Sequence, residues 1–350
     1  MFFQIMDDTG EKTESSLITI VDVSNLHDRS EIANVIDEIN EYEPAVLGID
    51  IIFDGLKGDT IGSERVAEAI LNTSQPVVAF QLTQYDNEKD IFTQSRHSFF
   101  TTDGHITEGF SNIDADMLDG NIRRIQSEMS FQKKNVGSLS YEIAKAFDSK
   151  VAKEQPASGK RMIDFSPTHF PEVPYDSIAE NSALLEGRIV LLGCTHEKED
   201  THYSPYGRTP GVLIQAYAVQ TFLENKQMDV FSDNVAILVS CLVILLTQVF
   251  KDKLDRLTSK LRNRYVRQLF NLPLVKQIIN FVWIAFLIWI DFLVFVRYGY
   301  YIPFTAILLS TALLGDAEEV YDSILDIFKK QYLVNGQTVN NNAEKEHVEQ

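Results

Sequence analysis

LITIVDV at residues 17–23 and AVLGIDIIF at residues 45–53 are two runs rich in β-branched residues. Both runs have the composition of buried strands. Between them, apolar residues recur at helical spacing across residues 29–43, with Ser30 as the predicted N-cap and Pro44 as the stop. A strand, a helix and a strand in so short a stretch predict a βαβ unit. Its two strands should be parallel and joined by a right-handed crossover.

The same kind of pattern continues to about residue 225. The predicted helices lie at 62–71, 137–147 and 212–223. The predicted strands lie at 77–81, 109–113, 121–131, 161–165 and 188–194, the second and third forming an antiparallel pair. Residues 86–106 are polar and predict an irregular excursion. Several of these strands lack strict alternation, which is typical of a layered α/β domain with a mixed, largely parallel sheet and flanking helices. We assign this head to residues 17–230, after a lead at residues 1–16.

Three apolar segments follow the head. They read VAILVSCLVILLTQVF at 235–250, IINFVWIAFLIWIDFLVFV at 278–296 and YYIPFTAILLSTALL at 300–314. A membrane-spanning helix needs about 20 mostly apolar residues. The middle segment has that length, and flanking residues would complete the others. The sequence therefore predicts three transmembrane helices, at 231–250, 274–296 and 300–315.

A strongly basic stretch at residues 251–273 separates the first two segments. Its cationic residues, against two aspartates, are Lys251, Lys253, Arg256, Lys260, Arg262, Arg264 and Arg267. Basic loops stay in the cytoplasm. We therefore expect a cytoplasmic loop at 251–273, an extracytoplasmic head, and a cytoplasmic, partly disordered tail at 316–350. Exporting the head requires a signal that residues 1–16 do not supply. Either the true start lies upstream with an additional span, or the head stays inside against the charge rule.

The formal net charge is −19, and the acidic excess lies in the head. Such a surface repels nucleic acid, so we expect no nucleic-acid partner. It suits a soluble domain and can attract cations.

Acidic residues follow the predicted parallel strands. Asp22, Asp50 and Asp54 stand at or just beyond the ends of two strands, and Asp200 lies in the loop after residues 188–194. In open α/β sheets, ligands bind outside the carboxyl ends of the strands. These four residues are our candidate ligand-binding site, for a cation or an amine. The alternative is that they provide only loop polarity and helix caps.

Two arginines and two histidines are weaker candidates. Strand alternation turns either Arg123 or Arg124 inward, where it could form a structural ion pair with an acid such as Asp50. His196 and His202 flank acidic residues but lack a compact helical spacing and a cysteine partner, so we expect no metal site. No serine lies in a G-x-S-x-G context, and no paired catalytic carboxylates stand out. We therefore assign no catalytic residue and no cofactor.

Several motifs together resemble a known family. They are the VDV strand, GIDIIF, SNIDADMLDGNIRR, GSLSYEIAKAF, GRIVLLGCT and DTHYSPYGRTPGVLIQA. Over residues 17–225 the chain resembles the CHASE domain of the second type, a bacterial sensory domain outside the cytoplasm associated with cyclases and histidine kinases. Gln215 stands where that family often carries histidine.

The resemblance implies a multi-pass protein of the bacterial cell (inner) membrane. Members of the family usually carry one span before the head, three after it, and an output domain. This sequence lacks the leading span and the output domain. We therefore expect a non-catalytic sensory module that works through a protein partner in the bilayer, with an unknown small-molecule ligand. The alternatives are a scaffold subunit of a membrane complex and a hydrolase.

Overall fold

A computed structural model describes residues 13–55, 60–89, 91–101, 106–115, 120–154, 160–166, 168–197, 200–224, 233–270 and 272–298. The strands are β1 (Thr13–Glu14), β2 (Ile18–Asp22), β3 (Val46–Ile49), β4 (Pro76–Asp86), β5 (Ile91–Arg96), β6 (Thr107–Phe110), β7 (Arg124–Gln126), β8 (Glu128–Phe131), β9 (Lys134–Gly137), β10 (Lys160–Met162), β11 (Thr168–His169), β12 (Glu172–Pro174), β13 (Ile189–Gly193), β14 (Thr201–Ser204) and β15 (Gly207–Pro210). The helices are α1 (Arg29–Glu41), α2 (Thr60–Leu71), α3 (Leu139–Phe147), α4 (Val151–Glu154), α5 (Gly211–Glu224), α6 (Asp233–Ser259), α7 (Arg264–Phe270) and α8 (Pro273–Tyr298). The chain divides into two compact units, Met1–Asp229 and Val230–Gln350.

A seven-stranded sheet organises the described part of the head. Its strands run in the order β12-β2-β13-β3-β4, and β6 and β5 both pair with the far side of β4. All these pairings are parallel except that of β5 with β4. The mixed, largely parallel sheet is therefore confirmed. The predicted βαβ unit also forms, but β13 inserts between its two strands, because β13 is buried along its whole length and needs a partner on each side.

Helices cover both faces of the sheet. On one face α1 and α2 pack together, and Ile36, Ile39 and Ile70 lie against Leu47 and Leu192. These side chains are fully buried. Burying an isoleucine or leucine contributes about 1.5–3 kcal/mol. The opposite face carries α3 and α5, so the head is a three-layer α/β/α sandwich.

Glycines allow the second helical layer to approach the sheet closely. A Cβ on Gly48 of β3 would lie 2.4 Å from Ile143 Cδ1 of α3. A Cβ on Gly193 of β13 would lie 2.8 Å from Val212 Cγ2 of α5. The contact between this layer and the central strands therefore depends on two positions without side chains.

Several local predictions were wrong. The region 86–106 contains β5, which extends the sheet by pairing with the second half of β4. The strands predicted at 109–113 and 121–131 do not form one hairpin: β6 pairs with β4, and β7 with β10. Both pairings depend on partners that are distant in the chain, which local patterns do not reveal. The N-cap of α1 is Asp28, whose carboxylate accepts a hydrogen bond from the Ser30 N–H.

The second unit is helical over its described residues. α6 contains the first apolar segment and continues through residues 251–259, and α7 begins after four further residues, so the basic stretch is largely helical rather than a loop. Lysine, leucine and arginine, which have high helix propensity, make up most of residues 251–259. Two contacts hold α6 beside α8. Trp283 Nε1 donates a hydrogen bond to Thr247 Oγ1 at 3.1 Å, and the Trp283 ring stacks on the Phe250 ring.

One helix among the described residues is long and apolar enough to cross a membrane. It contains Leu274–Val294, 21 residues with a mean hydropathy of 2.0. The apolar segment at 300–314, the tail at 316–350 and residues 1–12 of the lead lie outside the described residues. The prediction of three spans is therefore not confirmed.

Candidate functional site

Three strands end at the same level of the sheet and bring two of the predicted carboxylates to one edge. Asp22 ends β2 and is in register with Gly193, which ends β13. Asp50 follows β3, and its N–H donates to the Leu192 carbonyl at 2.9 Å. Adjacent strands lie about 4.8 Å apart, so the Cα atoms of Asp22 and Asp50 flank Gly193 at about 10 Å from each other.

Asp22 anchors the loop after β13. Its Oδ1 accepts hydrogen bonds from the N–H groups of Ser24 and Thr195, both at 3.0 Å, and from the Ser24 hydroxyl. Its Oδ2 lies 3.2 Å from Nδ1 of His196. Burial acts to raise the pKa of Asp22, but the hydrogen bonds from Ser24 and Thr195 outweigh it, and the pKa lies below its ordinary value. Asp22 is thus an ionised carboxylate that fixes this loop.

The pKa of Asp50, unlike that of Asp22, is raised. Among the described residues, no hydrogen-bond donor or cation pairs with its carboxylate. The pKa of Asp50 is raised to about 7, chiefly by burial and also by the negative charge of Asp200, while the charge of His202 acts to lower it. A carboxylate held near its titration midpoint at neutral pH responds strongly to any nearby positive charge.

Asp200 acts on Asp50 through its charge and also contacts the first residue of α5. The Gly211 N–H donates to the Asp200 carbonyl at 2.9 Å. A Cβ on Gly211 would lie 2.7 and 2.8 Å from the two carboxylate oxygens of Asp200. The carboxylate therefore lies directly on the first residue of the helix, where the helix dipole favours negative charge.

The hairpin of β14 and β15 holds Asp200 in this place. Thr201 is in register with Pro210, which brings the residue before β14 against the first residue of α5. His202 Nε2 lies 3.4 Å from Asp200 Oδ1. Hydrogen bonding to Asp200 raises the pKa of His202, and the charges of Asp200 and Asp50 add to this against burial. We call Asp50, Gly193, Asp200, His202, Gly211 and Val212 the α5 junction.

The other predicted residues do not join this cluster. Asp54 is exposed, and its carbonyl accepts from Nη2 of Arg29 at 3.0 Å. Among the described residues, no contact links Asp54 to Asp22, Asp50 or Asp200. The charged groups acting on Asp50 are Asp200 and His202.

The arginine prediction remains untested. Arg124 lies in β7 and Arg123 just before it, and the Arg123 carbonyl accepts from the Ile163 N–H at 2.8 Å. A structural ion pair of either residue stays a prediction. Within the described ranges, no group of three or more histidine, cysteine, aspartate or glutamate side chains could hold a metal ion.

Cys194 lies beside the site but is not a reactive thiol. Its pKa is raised to about 12, chiefly by burial and also by the nearby acids, of which Glu197 has the largest effect. It therefore stays protonated at neutral pH and is a poor nucleophile.

Sequence reasoning missed the residues that complete the junction. Gly193 and Gly211 are small because α5 and Asp200 occupy the space of their side chains. The glycine before Cys194 and the PG pair at the helix start were visible signals. They could have indicated close approach but not what approaches.

Comparison of the chain with models of known protein families gives one match. The model of the CHASE2 domain matches residues 11–249. The chain belongs to the CHASE2 domain family. No curated protein and no solved structure matches it. A CHASE2 domain is a sensory, extracellular-type module, so sensing is the function class of this head.

Proposed function

We propose that this CHASE2 protein is a non-catalytic sensory module anchored in the bacterial inner membrane by three spans. Its head lies outside the cytoplasm, its tail lies inside, and a protein partner carries the output. The α5 junction binds a small cationic ligand, most simply an organic amine. The observation that carries this proposal is the contact of the Asp200 carboxylate with Gly211, the first residue of α5.

The chemistry of the junction favours a cation. The negative charge of Asp200 makes Asp50 harder to ionise, and only His202 among the charged groups acting on Asp50 opposes this. A bound ammonium group would relieve that repulsion and donate hydrogen bonds to Asp50, which has no partner in the described part of the head. Asp22 contributes negative charge from the adjacent strand end, although its oxygens already hold the loop after β13.

The position of α5 links the junction to the anchor. This helix starts at the junction with Gly211 and ends at Glu224. Only residues 225–232 separate it from α6, which contains the first apolar segment. A ligand that binds one position of the α5 start better than another shifts the helix toward that position. The same shift would then reach the anchor along the chain.

The proposed orientation of the chain in the membrane depends on the positive charge of the basic stretch. The seven cations between residues 251 and 267 favour a cytoplasmic basic stretch, which puts the head on the other side of the membrane. Sensory domains of this family work outside the cell, in agreement with that direction.

An amine panel tests the ligand class. We expect ethanolamine or putrescine to raise the unfolding temperature of the full chain in detergent, by an amount that grows with amine concentration. Asp50→Asn should abolish the shift, while the matched variant Asp54→Asn should retain it. Equal shifts in both variants, or none in the wild type, would overturn the cationic site.

The alternative is a scaffold that binds no small molecule. It is favoured by the partners already present at the site, since Asp22 and Asp200 both serve structural contacts. A scaffold would show no amine response and would still capture its partner when Asp50 is replaced. A hydrolase is less favoured, because Cys194 is held as a thiol and Asp50 has no nucleophile paired with it among the described residues.

A further inference from the structure

The helix α7 presents two chemically different faces, and on its apolar face Tyr265 and Leu269 are exposed while Val266 and Phe270 are half-buried. At 100° per residue, Tyr265, Val266, Leu269 and Phe270 fall on one side of the helix, and Arg264, Arg267 and Gln268 on the other. Tyr265 is 81% exposed and Leu269 54% exposed. An exposed apolar face on a short helix with a cationic opposite face is the pattern of a helix that lies in a membrane interface.

The residues around α7 include further exposed apolar side chains and further cations. Leu257, Leu261 and Leu272 are also exposed. Among the described side chains of this region, none of the cations from Lys251 to Arg267 forms an ion pair. Unpaired cations beside exposed leucines and a tyrosine fit a surface that is negative and has an apolar layer beneath it.

Chain connectivity limits where α7 can be. It ends at Phe270, and the segment able to cross a membrane begins at Leu274. If α8 spans the bilayer, α7 lies within about one helical turn of the membrane surface.

We propose that α7 and the basic residues around it bind the anionic leaflet of the bilayer, with Tyr265 and Leu269 inserted among the lipids and the arginines at the head groups. This inference rests on the membrane anchoring proposed above and adds to it a lipid specificity. The positive stretch would then be a lipid-binding element as well as a determinant of orientation. Each cation near such a surface adds attraction that salt weakens.

Hydrogen exchange on the full chain in nanodiscs tests this. Amides of residues 264–270 should exchange about tenfold more slowly in discs with about one third phosphatidylglycerol than in discs of phosphatidylcholine alone, and high salt should remove the difference. The variant with Arg262→Gln, Arg264→Gln and Arg267→Gln should lose the lipid dependence. A matched variant with Lys133→Gln, Lys134→Gln and Lys150→Gln on the head should keep it.

The protection of residues 274–294 from exchange distinguishes a failure of the membrane anchoring from a failure of the lipid-binding proposal. If they are protected in both lipids while α7 exchanges alike in both, the anchoring stands and the anionic-lipid surface is overturned. Equal protection of α7 in both lipids that survives salt would assign its apolar face to protein contact, which also overturns the proposal. Unprotected residues 274–294 would overturn the anchoring, and the lipid surface with it.

Discussion

The Asp200 carboxylate lies on Gly211 so closely that a Cβ at that residue would stand 2.7 Å from Oδ2. One acidic side chain thus contacts the first residue of α5 while its charge acts on Asp50. The contact couples the electrostatics of the sheet edge to the position of the last helix of the head.

Gly211→Ala tests that coupling. The added methyl group should push the Asp200 carboxylate aside and lower the free energy of unfolding by about 1 kcal/mol. Because Asp200 also raises the pKa of Asp50, that pKa should fall. Denaturant unfolding gives the first quantity and carbon NMR titration of Asp50 the second.

Asp200→Ala is the control for this prediction. Combined with Gly211→Ala, it should make the methyl group nearly free of cost, because the atoms it would meet are gone. Additive losses in the double variant would contradict the contact.

The stability of the head should depend on pH in a defined direction. The pKa of Asp50 is raised to about 7 from an ordinary 3.8, so its contribution is complete below the ordinary value and is lost as pH rises through about 7. His202, whose pKa is also raised, loses its contribution in the same direction as pH rises above 6.5. We expect the unfolding temperature to fall between about pH 5 and pH 8.

Two variants separate the two groups. Asp50→Asn should remove most of this slope, and His202→Gln a smaller part. Asp22 acts in the opposite sense, because its pKa is lowered and its contribution disappears as pH falls through that pKa, below the ordinary 3.8. A wild-type profile that rises from about pH 5 to pH 8 would contradict the assignment of Asp50.

Asp22 should matter for the loop more than for the sheet. Asp22→Ala removes the acceptor of the Ser24 and Thr195 N–H groups and should lower stability by about 1–3 kcal/mol. Amide exchange at Thr195 should accelerate. Asp22→Asn keeps one oxygen acceptor and should be milder, and exposed Asp176→Asn should have no effect. Unchanged exchange at Thr195 in the alanine variant would show that the anchor lies elsewhere.

Gly48 tests the packing of the second helical layer. Gly48→Ala should destabilise the head by about 1–3 kcal/mol, because the new Cβ meets Ile143 Cδ1 and Leu191. Ile143→Val deletes the nearest atom and should recover part of that loss in the double variant. Chemical denaturation of the four proteins gives the cycle. If Ile143→Val instead lowers the stability of the double variant further, by as much as it does alone, the predicted clash is wrong.

The sequence was informative where one local signal determined the outcome. Buried runs predicted β2, β3 and β13, and helical spacing predicted α1 and α5. The sequence was uninformative where the position of a strand depends on a pairing partner that is distant in the chain. The insertion of β13 between β2 and β3 joins residues far apart in the chain, and the pairings of β6, β7 and β10 do the same.

The site divides in the same way. Strand ends are readable from sequence, so Asp22 and Asp50 were found. The location of Asp54 depends on Arg29, which binds the Asp54 and Gly55 carbonyls and the Ser63 hydroxyl. The approach of Asp200 to Gly211 depends on the β14–β15 hairpin. Neither arrangement leaves a trace in the spacing of acidic residues.

The direction of the chain in the membrane is the central claim, and cysteine accessibility measures it most directly. In a background with Cys194 and Cys241 replaced by serine, Lys89→Cys and Gln268→Cys supply one thiol on the head and one on the polar face of α7. An impermeant maleimide added to intact bacterial cells with a permeabilised outer membrane should label the first variant and reach the second only after lysis. Labelling of the α7 thiol in intact cells, with the head thiol protected, would contradict an extracytoplasmic sensor.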